Sequence, residues 1–265
     1  MICFFPGILC LYKSIIYNSQ LESFKLVVLS RGLSANNEST LRQLPGVRVI
    51  NLDKLDGLGA GTGLNAKKMF NMNKLYLFGL DEYEKLVYLD ADMLCLGDLR
   101  PLEHIEPWAM APDYGQNVGA SVGQRMMFNT GVMVLRPCKE TFGNLVKTLR
   151  GMRFGHFADQ AVINKYLNDD SVPVECLHPK WNLIISNKHI NKKMYSDIMK
   201  SGVKFMHFTK IKPWAIGRGL LVEKTSSKVY LHAKDRLLRW RFKEEIALWK
   251  SADASMRIET ASSAV

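Results

Sequence analysis

Asp90 and Asp92 stand one residue apart at the end of the apolar run Leu86-Val87-Tyr88-Leu89, in the stretch KLVYLDADML. Two carboxylates at the carboxyl end of a strand can share a hard divalent cation that phosphate oxygens also hold, and ligands bind at that end of open α/β sheets. Aspartate is equally an ordinary turn residue, so the pair by itself leaves a surface turn open. Three later stretches add polar groups. Asn129 and Thr130 precede the apolar run GVMVL, Asp159 and Gln160 open an apolar-periodic segment, and His207 and Lys212 lie in VKFMHFTKIKPW. An aspartate opening a helix is commonly just its cap. A lone histidine at a strand end is more often a satisfied polar group than a ligand.

The elements that must hold these groups read as an α/β alternation. Leu86–Leu89 has no polar interruption, which predicts a strand buried on both faces. Periodicity predicts helices over Ile8–Tyr17, Ser39–Leu44, Ala66–Leu80, Lys139–Arg150 and Phe157–Leu167. It predicts strands over Lys25–Leu29, Val47–Ile50, Pro107–Ala111, Gly131–Leu135 and Val203–His207. Lys74 falls inside the third helix. The glycine-rich stretch Leu55–Gly63 has neither GxGxxG nor a Walker lysine and reads as a connector. Lys224–Lys250 is basic, with Leu238, Phe242, Ile246 and Trp249 at helical spacing. Such a helix can lie on a membrane, but packing its apolar stripe on the domain is the simpler expectation. With no internal repeat or linker, the expected organisation is one domain over residues 1–223 and a basic helical extension over residues 224–265 packed on it.

The 36 Lys+Arg against 25 Asp+Glu give a formal charge of +11, which favours an anionic partner without choosing among nucleotide, nucleic acid and membrane. No RNP-like aromatic motif or basic repeat supports nucleic acid. A composition of 47% hydrophobic and 23% charged residues is that of a folded globular chain. Five scattered cysteines without CxxC spacing point to neither a zinc site nor a disulfide framework, and make a reducing, cytoplasmic setting the default. Met1–Leu11 lacks a basic n-region and contains Pro6 and Gly7, so it is a poor signal peptide and too short to span a bilayer.

Taken together and in order, KLVYLDADML with Lys74 upstream, then FNTGVMVL, ADQAVIN and HFTKIKPW, closely resemble the retaining glycosyltransferases of family 8, the group containing glycogenin and galactinol synthase. The resemblance covers about residues 6–215. It implies a GT-A fold, a single α/β/α domain around a mixed sheet, and a UDP-sugar donor bound through a divalent cation, Mn2+ or else Mg2+. It implies that Asp90 touches metal and donor ribose, that Asp92 is the main metal ligand, and that His207 is the third. An O-rich octahedral shell of that kind suits manganese or magnesium. Lys212 then matches the lysine that stabilises charge on the departing diphosphate. Pro213 fixes the backbone beyond it and Trp214 packs. Lys74, Asn129, Asp159 and Gln160 match positions around the donor sugar, with Ala91, Thr130 and Gly131 lying within the donor-binding motifs. Asp159, Gln160 and Lys212 are the implied catalytic set, Asp159 being the matched carboxylate that can serve as a nucleophile. The implied reaction makes UDP a better leaving group, passes through an oxocarbenium-like state and keeps the α configuration. The implied acceptor is a carbohydrate, a polyol or a protein, with neither nucleic acid nor a transmembrane segment, and a homodimer is left open.

Departures from the pattern set further expectations. The family opens with a strand that cradles uracil, whereas Met1–Gly7 looks like the helix after it, so the chain reads as N-terminally incomplete. An anchor upstream would move it to the Golgi or another secretory compartment. His156 replaces the aspartate before glycogenin's GGDQ, and Lys212 is one residue nearer His207, with no intervening glycine. Tyr195 is the nearest candidate for a self-glycosylated tyrosine, a weak match. Two rival readings remain: a phosphatase of the haloacid dehalogenase type, which leaves HFTKIKPW unexplained, and an inactive nucleotide-sugar-binding homologue.

Overall fold

The computed structural model describes residues 4–53, 58, 71–117, 126–152, 158–216 and 237–262. The chain folds as two compact units, one made of Met1–Leu21, Asp90–Leu99 and Asn182–Val265, the other of Glu22–Leu89 and Arg100–Trp181. Helices and strands alternate, and both larger sheets mix parallel with antiparallel pairs.

In the first unit, helix α1 (Phe5–Asn18) has Pro6 in its first turn, where its fixed φ suits the helix and its missing N–H costs nothing. The sheet of this unit has the order β4-β9-β8 (Met93–Cys95, Phe205–His207, Leu183–Ile184), antiparallel then parallel. Ser14 and Asn18 of α1 bond the main chain of Cys95 in β4, the hydroxyl accepting its N–H at 3.0 Å and the amide donating to its carbonyl at 3.0 Å. Gly7 allows the close approach, since a Cβ there would lie 2.5 Å from the Ala91 carbonyl oxygen and 2.7 Å from Cη2 of Trp214. The core buries Cys10, Leu94, Met206, Phe208, Trp214, Phe242, Ile246 and Trp249. The last three are the helical stripe expected of the basic C-terminal stretch; within it the helix Lys243–Ser262 is described, and residues 224–236 lie outside the described part.

In the second unit, β1 (Leu26–Ser30) and β2 (Val47–Asn51) pair in parallel, with helix α2 (Ala35–Arg42) on the crossover. Periodicity places this helix at Ser39–Leu44. It starts earlier because the Ser34 hydroxyl accepts the Asn37 N–H at 3.3 Å and caps a polar segment whose one buried residue is Leu41. The four-stranded sheet has the order β3-β6-β5-β7 (Leu86–Leu89, Phe128–Leu135, Ala109–Pro112, Glu175–Cys176). β6 pairs antiparallel with both neighbours and is buried over seven of its eight residues. The expectation for Leu86–Leu89 needs correction: the strand is there, but among the described residues it forms the sheet's edge, and Val87 is 37% exposed. An unbroken apolar run does not distinguish a central strand from an edge strand covered on one face only. Met72, Leu75 and Phe78 lie on a 3₁₀ helix, Met72–Gly79, the described end of the predicted helix Ala66–Leu80. They pack with Leu145 and Leu149 of the helix Lys139–Gly151 and with Val162 and Ile163 of the helix Ala158–Asp169. Except for Leu58, the glycine-rich stretch Leu55–Gly63 lies outside the described residues. Among the described residues, no helix is long and apolar enough to cross a membrane.

Candidate functional site

β4 and β9 assemble the first cluster. Their register sets Met93 opposite His207, and the Phe208 N–H donates to the Asp92 carbonyl at 2.9 Å, so the residue before β4 and the last residue of β9 are held side by side. His207 Nε2 then lies 3.2 Å from Asp92 Oδ1 and 3.5 Å from Asp90 Oδ2, and one ligand atom from each of the three residues falls within 4.8 Å of the others. Such separations fit ligands sharing one cation with bonds of about 2.1 Å, whose neighbouring ligand atoms stand about 3 Å apart. On the far side of the ring, Nδ1 faces Asn182 Oδ1 at 3.1 Å. An acceptor there can take an Nδ1 proton and leave Nε2 for a cation, the usual outer support of a metal-ligating histidine. The side chains of His207, Asp92 and Asp90 are 5%, 11% and 25% exposed, so the cluster opens on the Asp90 side.

Lys212 belongs to the same cluster. Its ammonium pairs with Asp92 Oδ2, donates to the Phe208 carbonyl at 2.6 Å and lies 5.9 Å from the centre of the Phe4 ring. Burial pushes the Asp92 carboxyl up, but the charges of His207 and Lys212 and their hydrogen bonds outweigh it and hold the group well below the usual carboxylate range. Asp92 is therefore an ionised, acceptor-only group ready for a cation. Pro213 starts the 3₁₀ turn Pro213–Ala215, and Trp214 is buried against Trp249 with ring centroids 6.1 Å apart. Ala91 contributes its backbone, the carbonyl facing Gly7.

The second cluster lies within the other unit and joins every remaining predicted residue. Lys74 is buried; its ammonium pairs with Asp159 Oδ2 at 2.8 Å, donates to the Thr130 carbonyl and hydroxyl at 3.1 Å each, and sits 4.9 Å from the Tyr88 ring centre. A buried ammonium needs such partners, because leaving one uncompensated costs several kcal/mol. Asp159 stands in the first turn of its helix, yet its carboxylate faces Lys74, so it is more than a cap. Asn129 and Gln160 both donate to Asp113 Oδ2, at 3.2 and 2.9 Å, and Asn129 also donates to Gln160 Oε1 at 3.2 Å. The Gly131 N–H donates to Asn129 Oδ1 at 2.9 Å, and Asn164 donates to the Gln160 carbonyl at 2.8 Å. Asp113 is the residue that sequence reasoning missed. Its signal was present: an aspartate directly after the apolar strand Ala109–Pro112, the argument already applied to Asp90. His156 and Phe157 lie outside the described residues. Tyr195 is buried, its hydroxyl donating to Glu245 Oε1 at 3.0 Å.

Mixed sheets, helices between the strands and an acid-x-acid pair at a strand end define the GT-A type of nucleotide-sugar transferase fold. A solved structure of the galactosyltransferase LgtC, in complex with donor and acceptor sugar analogues, matches over 80% of this chain and 86% of its own at a TM-score of 0.58 and 21% identity. The family model for glycosyl transferase family 8 matches residues 4–216, and the chain belongs to that family. Glycogenin of Komagataella phaffii is 28% identical over 161 residues, 55% of this chain and 37% of its own length. A putative UDP-glucuronate:xylan alpha-glucuronosyltransferase of Arabidopsis thaliana is 25% identical over 156 residues, 56% of this chain and 24% of its own. The chain thus spans well under two thirds of the length of these two curated relatives. Family membership removes the phosphatase reading of the aspartate pair.

Proposed function

We propose that this chain transfers a hexosyl group from a UDP-sugar to an acceptor, with a divalent cation and retention of the α configuration. The observation that carries the reading is the convergence of Asp90, Asp92 and His207 on one point with Lys212 on the same carboxylate. Asp90, Asp92 and His207 would hold the cation, and Asn182 keeps the imidazole turned toward it. A cation bound there supplies positive charge against a diphosphate. Lys212 has a flexible stem and a compact charge, and hydrogen-bonds the departing diphosphate as its negative charge grows. Lys74 holds the Asp159 carboxylate in one direction, so that it can stabilise or attack the sugar's anomeric carbon. Asp113 fixes the amides of Asn129 and Gln160, which are suited to hydroxyls of a hexose. A relative named for UDP-glucuronate and a neighbour solved with sugar analogues support a nucleotide-sugar donor.

The test is turnover of UDP-glucose, UDP-galactose and UDP-glucuronate with and without Mn2+, together with calorimetry of UDP. One preferred donor and a UDP affinity that rises with Mn2+ are expected. Equal UDP affinity with and without the metal, or turnover of a GDP-sugar and of no UDP-sugar, refutes the reading. UDP binding without turnover of any donor leaves a nucleotide-sugar-binding homologue in its place.

A further inference from the structure

A cavity of about 350 Å³ lies in the first unit, lined by Lys188, His189, Lys192, Trp240, Arg241 and Lys243, none of them shared with the Asp90–Asp92–His207 cluster. The wall is built by three segments. Lys188 and His189 end the 3₁₀ turn Ile185–His189, Lys192 opens the helix Lys192–Lys200, and Trp240, Arg241 and Lys243 lead into the helix Lys243–Ser262. His189 meets the fully buried Phe242 ring edge-on, with ring centroids 5.1 Å apart. Beside it, Lys188 is fixed by Glu244 at 2.8 Å and Glu245 at 3.0 Å.

Charge and shape together narrow the ligand. Glu244 and Glu245 are engaged by Lys188, while Lys192, Arg241 and Lys243 form no ion pair among the described residues, so the wall stays positive after both acids are counted. Burial first, then the like charges of Arg241, Lys188 and Lys192, push the His189 imidazole below its usual range, which is the sign of that positive field. Trp240 is 71% exposed, a large apolar face left in water on the wall. Arg241 offers a planar fork that matches a carboxylate or phosphate. A ligand for this wall needs both a flat apolar face and an anionic group. The volume is at the small end of the range of ligand pockets, about 300–1,000 Å³. Single-stranded nucleic acid would want a track with successive stacking platforms, and a single exposed tryptophan on the wall of a half-open pocket is not that.

We infer that this cavity is a second ligand site, which takes an acidic sugar: a hexose ring stacked on Trp240 with its carboxylate or phosphate held by Arg241, Lys192 and Lys243. The site stands independently of the donor reading above. The experiment is titration of the whole chain, followed by calorimetry and by tryptophan fluorescence, with trigalacturonate, glucose 6-phosphate, neutral maltotriose and oligothymidylate, at low and high salt. One or both acidic sugars should bind, more weakly at high salt, and which one binds identifies the anionic group. Arg241→Gln and Trp240→Ala, both at exposed positions, should each weaken that binding by about tenfold, roughly the loss of one charge-assisted hydrogen bond or one stacked face. Asp92→Asn should leave it unchanged. Maltotriose binding as well as the acids, either pocket variant binding like the parent, or oligothymidylate binding where the sugars do not, overturns the proposal. So does loss of binding in Asp92→Asn alone, which would put the sugar in the donor site.

Discussion

Gly7→Ala sets two effects of one methyl group against each other. Alanine is the better helix former by at most about 1 kcal/mol, so propensity alone forecasts a more stable chain. The new Cβ would stand 2.5 Å from the Ala91 carbonyl oxygen, where ordinary contact begins at 3.4 Å, and 2.7 Å from the Trp214 ring. Neither neighbour yields cheaply. Trp214 is wedged against Phe4 and Trp249 with ring centroids at 6.0 and 6.1 Å, and Ala91 is main chain between two carboxylates. Overpacking of this kind costs about 1–3 kcal/mol, so the net expectation is destabilisation of up to about 2 kcal/mol. Because the strain falls on Ala91, Asp90 and Asp92 shift with it, and Mn2+ affinity should drop together with stability. Urea unfolding and a Mn2+ titration of the same preparation measure both. A variant as stable as the parent or more so, with unchanged Mn2+ affinity, would show that α1 does not bear on the metal-binding residues.

Four further outcomes follow. Asp92→Asn should keep the fold, as judged by circular dichroism, while the gain in UDP affinity on adding Mn2+ disappears. Asn182→Ala frees the His207 ring and should weaken Mn2+ by about 10- to 100-fold, the usual loss when a histidine's outer partner is removed; an unchanged affinity would mean that the ring needs no holding. Lys74→Met leaves Asp159, only 15% exposed, without its cation and should cost up to about 3 kcal/mol in chemical denaturation, whereas Lys74→Met combined with Asp159→Leu should recover much of it. Burial raises the Cys10 thiol from 9.0 to about 12 and the Cys95 thiol from 9.0 to about 11, so the folded chain holds protons that the unfolded chain has released. Stability from these thiols is full below pH 9 and lost as pH rises from about 9 toward 11 and 12. Replacing both with alanine should flatten that alkaline limb in a series of thermal melts.

The parts of this structure that were legible from the sequence are those whose cause is local. The stripe Leu238–Phe242–Ile246–Trp249 and the apolar residues of the helix Lys139–Gly151 declare themselves by period, because one face of each is buried, and the strand before Asp90 declares itself by an unbroken apolar run. What decides the chemistry is non-local. Nothing near Met93 in sequence announces that it faces His207, and that pairing is what turns an acid-x-acid turn into a three-ligand cluster. The resemblance provided the partnership that periodicity lacks. Asp113 escaped because no motif contains it, although its position after a strand is that of Asp90. The edge position of Leu86–Leu89 escaped because side-chain hydrophobicity records which faces are covered and is silent on which hydrogen-bonding edges are paired.

The manner in which α1 meets β4 bears on how the chain behaves at high concentration. The outer edge of a sheet is a template for a second chain, and its hazard scales with the length of unpaired backbone presented. Here the Cys95 N–H and C=O in β4 are taken by Ser14 and Asn18, side chains of a helix and not another strand. A helix cannot pass that pairing on, so this edge of the three-stranded sheet is terminated. In the four-stranded sheet, one outer strand, β7, is two residues long and the other, β3, is four, with Lys85 at its start. Among the described residues, neither offers a run long enough to seed a continuous intermolecular ladder. The same helix that braces the carboxylates thus also guards against strand addition, and a change that loosened α1 from Cys95 should announce itself in light scattering before it appears in any measure of ligand binding.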